Sequence, residues 1–160
     1  MKRGLRIVDA DGHTMEPPDL YERYLDPAFR DRLGGHDPMH LAPGVLDALR
    51  FEEQLAGKYG EFSAAGFDAA SIAHGLDVEG IDLTVIYGPL YMMWNDGIDP
   101  SFAAALCRAY NRWLADYSVE SAGRITGAAP LPIQDVGLAL AEHEFAYDTL
   151  AEHAQADAAS

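Results

Sequence analysis

Asp11, Gly12 and His13 are the residues whose types and spacing best suit chemistry. They come just after a short apolar run at residues 5–8, which reads as a β-strand. In α/β proteins the residues past the carboxyl end of a strand face the ligand crevice. In an extended segment a carboxylate and an imidazole two residues apart point to the same side, and the glycine between them leaves room for a metal or a substrate. Glu16 lies on the same exit loop. It either contacts a substrate or ligand or opens the helix that follows.

A second group of candidates follows the next strand. Tyr87, Tyr91 and Trp94, interleaved with Met92 and Met93, sit where a second ligand-facing rim is expected. Rigid aromatics with adaptable methionines suit an apolar ligand, and they equally suit packing beneath the next helix. His36 and His40 fall in a Gly/Pro-rich stretch at residues 34–44 that reads as a surface loop. His74, His143 and His153 follow no strand. Cys107 lies in an apolar helical run and reads as buried filler. No P-loop, no G-x-G-x-x-G and no nucleophile elbow is present.

The elements that must position these residues alternate in the α/β manner. Pro17-Pro18-Asp19 opens a short helix with Leu20, Tyr21, Tyr24 and Leu25 on its apolar side, and a second short helix spans residues 26–33. Helices are expected at 45–59 and at 67–77, the latter ending near Gly80. Residues 80–89 supply the second strand, apolar on both faces as a buried parallel strand would be. Asp99-Pro100 starts a helix that runs to about Ser121. Its core stripe is Phe102, Leu106, Tyr110, Trp113, Leu114 and Tyr117, with Arg108, Asn111 and Arg112 on another face. Residues 124–132 form a third strand and its exit, and Asp135 caps a last helix with Leu138, Ala141 and Phe145 on its apolar side. Residues 1–150 thus form one α/β unit with a helical insertion between the first two strands. Residues 151–160 read as a polar, alanine-rich tail without material for a fourth strand.

Composition narrows the function classes. The chain has 160 residues with 26 acidic against 11 basic side chains, a formal charge of −15. Such a surface repels phosphate backbones and anionic lipid, which argues against nucleic-acid or membrane partners and leaves a small-molecule substrate. No stretch approaches the roughly 18 apolar residues of a membrane span, and no signal-peptide core follows Lys2, Arg3 and Arg6. One cysteine rules out an intramolecular disulfide framework, so a reducing, cytoplasmic setting is expected.

Taken in order, these segments resemble a known family. Val8-Asp9-Ala10-Asp11-Gly12-His13 with Glu16-Pro17-Pro18-Asp19-Leu20-Tyr21, Glu79-Gly80-Ile81-Asp82-Leu83-Thr84-Val85-Ile86-Tyr87, Ala109-Tyr110-Asn111-Arg112-Trp113-Leu114, and Gly123-Arg124-Ile125-Thr126-Gly127 with Leu131-Pro132-Ile133-Gln134-Asp135 are similar to successive blocks of amidohydrolase-related proteins. The branch is that of aminocarboxymuconate semialdehyde decarboxylase and related nonoxidative decarboxylases. The resemblance spans about residues 5–145. It implies a (β/α)8 TIM barrel with a divalent metal at the carboxyl ends of the strands. Asp11 and His13 would be its first two ligands. Carboxylate with imidazole suits zinc or manganese, which would activate water for hydrolysis or orient a substrate carboxylate for loss of carbon dioxide.

The departure from that family is one of length. A closed barrel takes about 250 residues, whereas only three strands are expected here. The family's later metal-binding histidine and late-strand aspartate match nothing in the sequence, so no catalytic residue is assigned. The expected fold is therefore a partial TIM barrel, and this chain alone is expected to be inactive. The alternative is a non-catalytic partial barrel that self-associates or pairs with a complementing chain, because an open edge and an uncovered apolar face invite partners.

Overall fold

β1 (Val8–Gly12) begins later than the apolar run at its start suggests, and it contains Asp11 rather than ending before it. The reason lies in how Ile7 is held. Its N–H donates to the Asp82 carboxylate at 2.8 Å, and its carbonyl accepts from the N–H groups of Asp82 and Leu83. Leu5 meanwhile stays 66% exposed. Residues 5–7 thus skirt the amino end of the sheet instead of extending it.

The structure is a computed structural model that describes residues 4–17, 19–33, 67–88 and 97–158. After β1 come α1 (Leu20–Tyr24), a 3₁₀ helix (Pro27–Leu33) where a second short helix was expected, and α2 (Ala69–Glu79). Then follow β2 (Leu83–Tyr87), α3 (Pro100–Glu120), β3 (Ile125–Ala128) and α4 (Val136–Ala158). The helix expected at 45–59, together with His36, His40, Tyr91 and Trp94, lies outside the described residues. The three strands form one parallel sheet in the order β1-β2-β3, so the chain is a mixed α/β structure as expected.

Local chemistry sets each helix end. Asp68 accepts from the Ser71 N–H at 2.7 Å at the start of α2, and Gly80 ends that helix at φ 72°, a left-handed value that favours glycine. Asp99 caps α3 through the Phe102 N–H at 3.1 Å, with Pro100 in the first turn. Asp135 caps α4 through the Leu138 N–H at 2.9 Å.

Among the described residues, helices cover one face of the sheet, and the other face keeps exposed apolar side chains. Thr84, Ile86 and Ile125 are buried beneath α3, whose stripe of Phe102, Leu106, Tyr110, Trp113, Leu114 and Tyr117 is buried as the sequence predicts. Each fully buried Leu or Ile here contributes about 1.5–3 kcal/mol of transfer free energy. Gly127 is required by closeness, since a Cβ there would lie 2.8 Å from the Ile86 carbonyl oxygen and 3.0 Å from Leu114 Cδ1. On the opposite face Val8 and Tyr87 remain 49% and 47% exposed.

Two expected helix faces are corrected. Asn111 is buried rather than on a polar face, and in α4 Glu142 is buried while Ala141 is exposed. Burial of that polar pair is compensated in part by direct bonding, since Asn111 Oδ1 has no hydrogen-bond partner among the described residues. Glu142 accepts from Arg108 Nε at 2.6 Å and from Asn111 Nδ2 at 2.8 Å, and the same Nδ2 reaches the Pro130 carbonyl at 3.2 Å. The Arg108 guanidinium lies 3.7 Å from the Phe145 ring centre. Desolvation still pushes the Glu142 carboxyl up, against these bonds. α4 continues as helix through residues 151–158.

Candidate functional site

Asp9, Asp11 and His13 share one parity, so regular alternation would send all three to one face of the sheet. Pairing shows otherwise. Asp9 lies opposite Thr84 and Gly12 opposite Ile86, so β1 has one more residue than β2 between those pairs. That extra residue is a bulge, and it reverses the alternation beyond it. Gly12 therefore faces the helices, and a Cβ on it would collide with Thr84 Oγ1. Its neighbours Asp11 and His13 turn to the open face, where both are exposed.

Asp9 holds the bulge. One carboxylate oxygen accepts from the Thr84 hydroxyl at 3.2 Å and the other from the Asp11 N–H at 3.1 Å. Thr84 is the one aliphatic hydroxyl in β2 and is only 3% exposed. Sequence reasoning missed both residues. The available signal was a buried polar residue in an apolar strand with a carboxylate at the matching position of its neighbour.

His13 is oriented by its own backbone. Nδ1 lies 3.1 Å from the Asp11 carbonyl oxygen. A carbonyl only accepts, so Nδ1 carries a proton, and the tautomer with that proton alone keeps its lone pair on Nε2. This is the arrangement in which metal-binding imidazoles are commonly fixed. Beyond it, Tyr117 donates to the Phe67 carbonyl at 2.6 Å and lies 3.1 Å from Thr14 Oγ1, so the Thr14 hydroxyl donates to Tyr117. Burial pushes the Tyr117 phenol up to about 12. The phenol thus stays neutral and ties the exit of β1 to α3.

Glu16 is half-buried on that exit loop, and desolvation raises its carboxyl above the ordinary range despite its own backbone N–H. Tyr87 ends β2 one residue beyond Ile86, level with His13 one residue beyond Gly12. Asp11, His13 and Tyr87 are each exposed near the carboxyl ends of β1 and β2, while Tyr91 and Trp94 fall outside the described residues. His74 and His143 are exposed and distant in the chain from those ends. Cys107 is fully buried, and its thiol is pushed up to about 12 by burial and then by Glu142. It is an inert core residue, as its sequence context suggests.

An exposed carboxylate and an imidazole with its lone pair on Nε2 are the oxygen and nitrogen donors that zinc and manganese take. Among the described residues no group of three or more His, Cys, Asp or Glu is assembled to hold a metal. No helix among them is long and apolar enough to cross a membrane. No protein-family model matches the chain, and no curated protein matches it.

Proposed function

We propose that the chain carries the first three strands of an amidohydrolase-like (β/α)8 barrel whose activity is metal-dependent hydrolysis or nonoxidative decarboxylation of a small carboxylic acid. The observation that carries this reading is the bulge in β1 beside which Asp11 and His13 are both exposed, with His13 Nδ1 held by the Asp11 carbonyl. Asp11 and His13 fit zinc or manganese in kind. Three protein ligands are usual for catalytic zinc, so the rest of the set comes from residues beyond those described.

When bound, the metal supplies Lewis-acid polarisation of a substrate oxygen or of water. Asp11 contributes an anionic oxygen. His13 contributes a neutral nitrogen that needs no reorientation, because Nδ1 is already bonded to the Asp11 carbonyl. Glu16 lies on the same exit loop, where burial raises its carboxyl above the ordinary range. The Tyr87 ring offers an apolar surface at the same end of the sheet for an aromatic or unsaturated acid.

Calorimetric titration of zinc and of manganese into the purified chain tests the reading. Binding tighter than millimolar that is lost in His13→Ala and Asp11→Ala supports it. No such binding sinks an autonomous metal site.

A second reading is favoured by the exposed apolar side chains on the sheet face opposite the helices, Val8 and Tyr87. It is a non-catalytic partial barrel that associates with itself or with a complementing chain through that face. Sedimentation as a clean monomer argues against it.

A further inference from the structure

α4 presents a surface that neither the sheet nor the metal reading uses. At 100° per residue, Val136, Leu140 and Tyr147 fall within an arc of about 40°. They are 74%, 61% and 68% exposed. Ile133, in the turn that enters the helix, adds a further side chain at 59%. The packed side of α4, marked by Glu142 and Ala146 at 2% and 3%, lies about 120° round the helix from this stripe. Isolated exposed apolar residues are ordinary, but an aligned set on one helix marks an interaction surface.

The flank of the stripe selects the occupant. Glu144 is exposed about 60° from the stripe's centre and Asp148 about 100° from it on the same side, His143 is exposed at the stripe's other margin, and Asp135 lies at its start. The sequence from 136 to 158 contains acidic residues and no lysine or arginine, in a chain of formal charge −15. A second copy would bring acid against acid. A cationic helix would meet both the apolar stripe and the acidic flank.

We infer that α4 docks an amphipathic helix of a partner chain, one whose apolar face is bordered by lysine or arginine. The partner's apolar side chains cover Val136, Leu140 and Tyr147, and its cations lie over Glu144 and Asp148. Nothing in this depends on metal binding at Asp11 and His13.

The test uses a fluorescently labelled synthetic helix of leucine and lysine, titrated with the whole chain at about 0.15 M ionic strength, where weak surface attraction is screened. The decisive variant is Leu140→Ser/Tyr147→Ser, which leaves the charge unchanged and removes only exposed side chains; circular dichroism confirms its fold. Truncation of two central apolar contacts is expected to weaken binding about tenfold or more. Glu144→Gln/Asp148→Asn is expected to weaken it by less and to flatten its dependence on salt. Equal binding by the serine variant overturns the proposal, since the peptide then rests on the acidic surface at large. A dimer of the chain alone that the serine substitutions abolish also overturns it, because the occupant is then a second copy.

Discussion

The two ends of the parallel sheet use polar groups in opposite ways. At the amino end they are bonded to the fold. The Arg124 guanidinium donates to the carbonyls of Asp82 at 2.8 Å and Ile81 at 2.7 Å and to the Asp77 carboxylate at 2.9 Å. Asp82 in turn receives the Ile7 N–H. At the carboxyl end, Asp9 is spent on holding the bulge, and that leaves Asp11 and His13 facing outward on the open side. The difference teaches which carboxylates serve stability and which remain for ligands, a division that open α/β sheets share.

The largest effect expected is at the amino end. Arg124→Ala removes three hydrogen bonds and leaves two carbonyls without their donor, so a loss of about 3 kcal/mol in urea unfolding is expected. A loss below about 1 kcal/mol would erase the contrast between the ends.

Gly12→Ala comes next. The new methyl meets the buried Thr84 hydroxyl, which cannot swing away without leaving Asp9, and the Val85 carbonyl oxygen at 3.2 Å. Overpacking of this kind destabilises by about 2 kcal/mol. In a Thr84→Ala background the same substitution should be markedly less harmful, and a double-mutant cycle measures the coupling. Additive effects would show that the bulge does not depend on this contact.

Much of the fold was legible in the sequence because its signals were local. Asp99-Pro100, the aromatic stripe from Phe102 to Tyr117 and the β-branched run before Tyr87 each state their structure within a few residues. The exposure of Asp11 and His13 does not follow from simple alternation with Asp9, which the strand does not keep. What breaks the alternation is the extra residue between Asp9 and Gly12, set by pairing to a strand some seventy-five residues away. Burial of Glu142 was likewise hidden, because its partners Arg108 and Asn111 lie on a different helix. Such pairings over long sequence separation leave no periodicity to read.

Acid titration separates the ends by sign. The Ile7 N–H holds the Asp82 carboxyl below the ordinary carboxylate range. Its stabilising contribution is present above that range and is lost as pH falls through the lowered value. Burial instead raises Glu16, so the folded state binds more protons than the unfolded one, and stability is lost as pH rises through the raised value. Urea midpoints followed across the carboxylate range should therefore lose part of their acid-side fall in Asp82→Asn. Glu16→Gln should lose part of an opposite decline toward neutral pH. The same sign of change in both variants would contradict the assignment.

The smallest expected effect on stability is also the sharpest test of the comparison. Asp11 and His13 are exposed, and the Asp11 carboxylate makes no bond to the fold among the described residues. What holds the bulge is the Asp11 backbone N–H, which survives substitution of the side chain. Asp11→Ala and His13→Ala should therefore each change unfolding free energy by no more than about 0.5 kcal/mol. Under the proposed function both abolish zinc or manganese binding, whereas Arg124→Ala, measured where it is still folded, retains it. Losses of stability at Asp11 or His13 comparable to that at Arg124 would mean that the carboxyl end is built for the fold as well. The bulge would then need a structural explanation in place of a ligand-binding one.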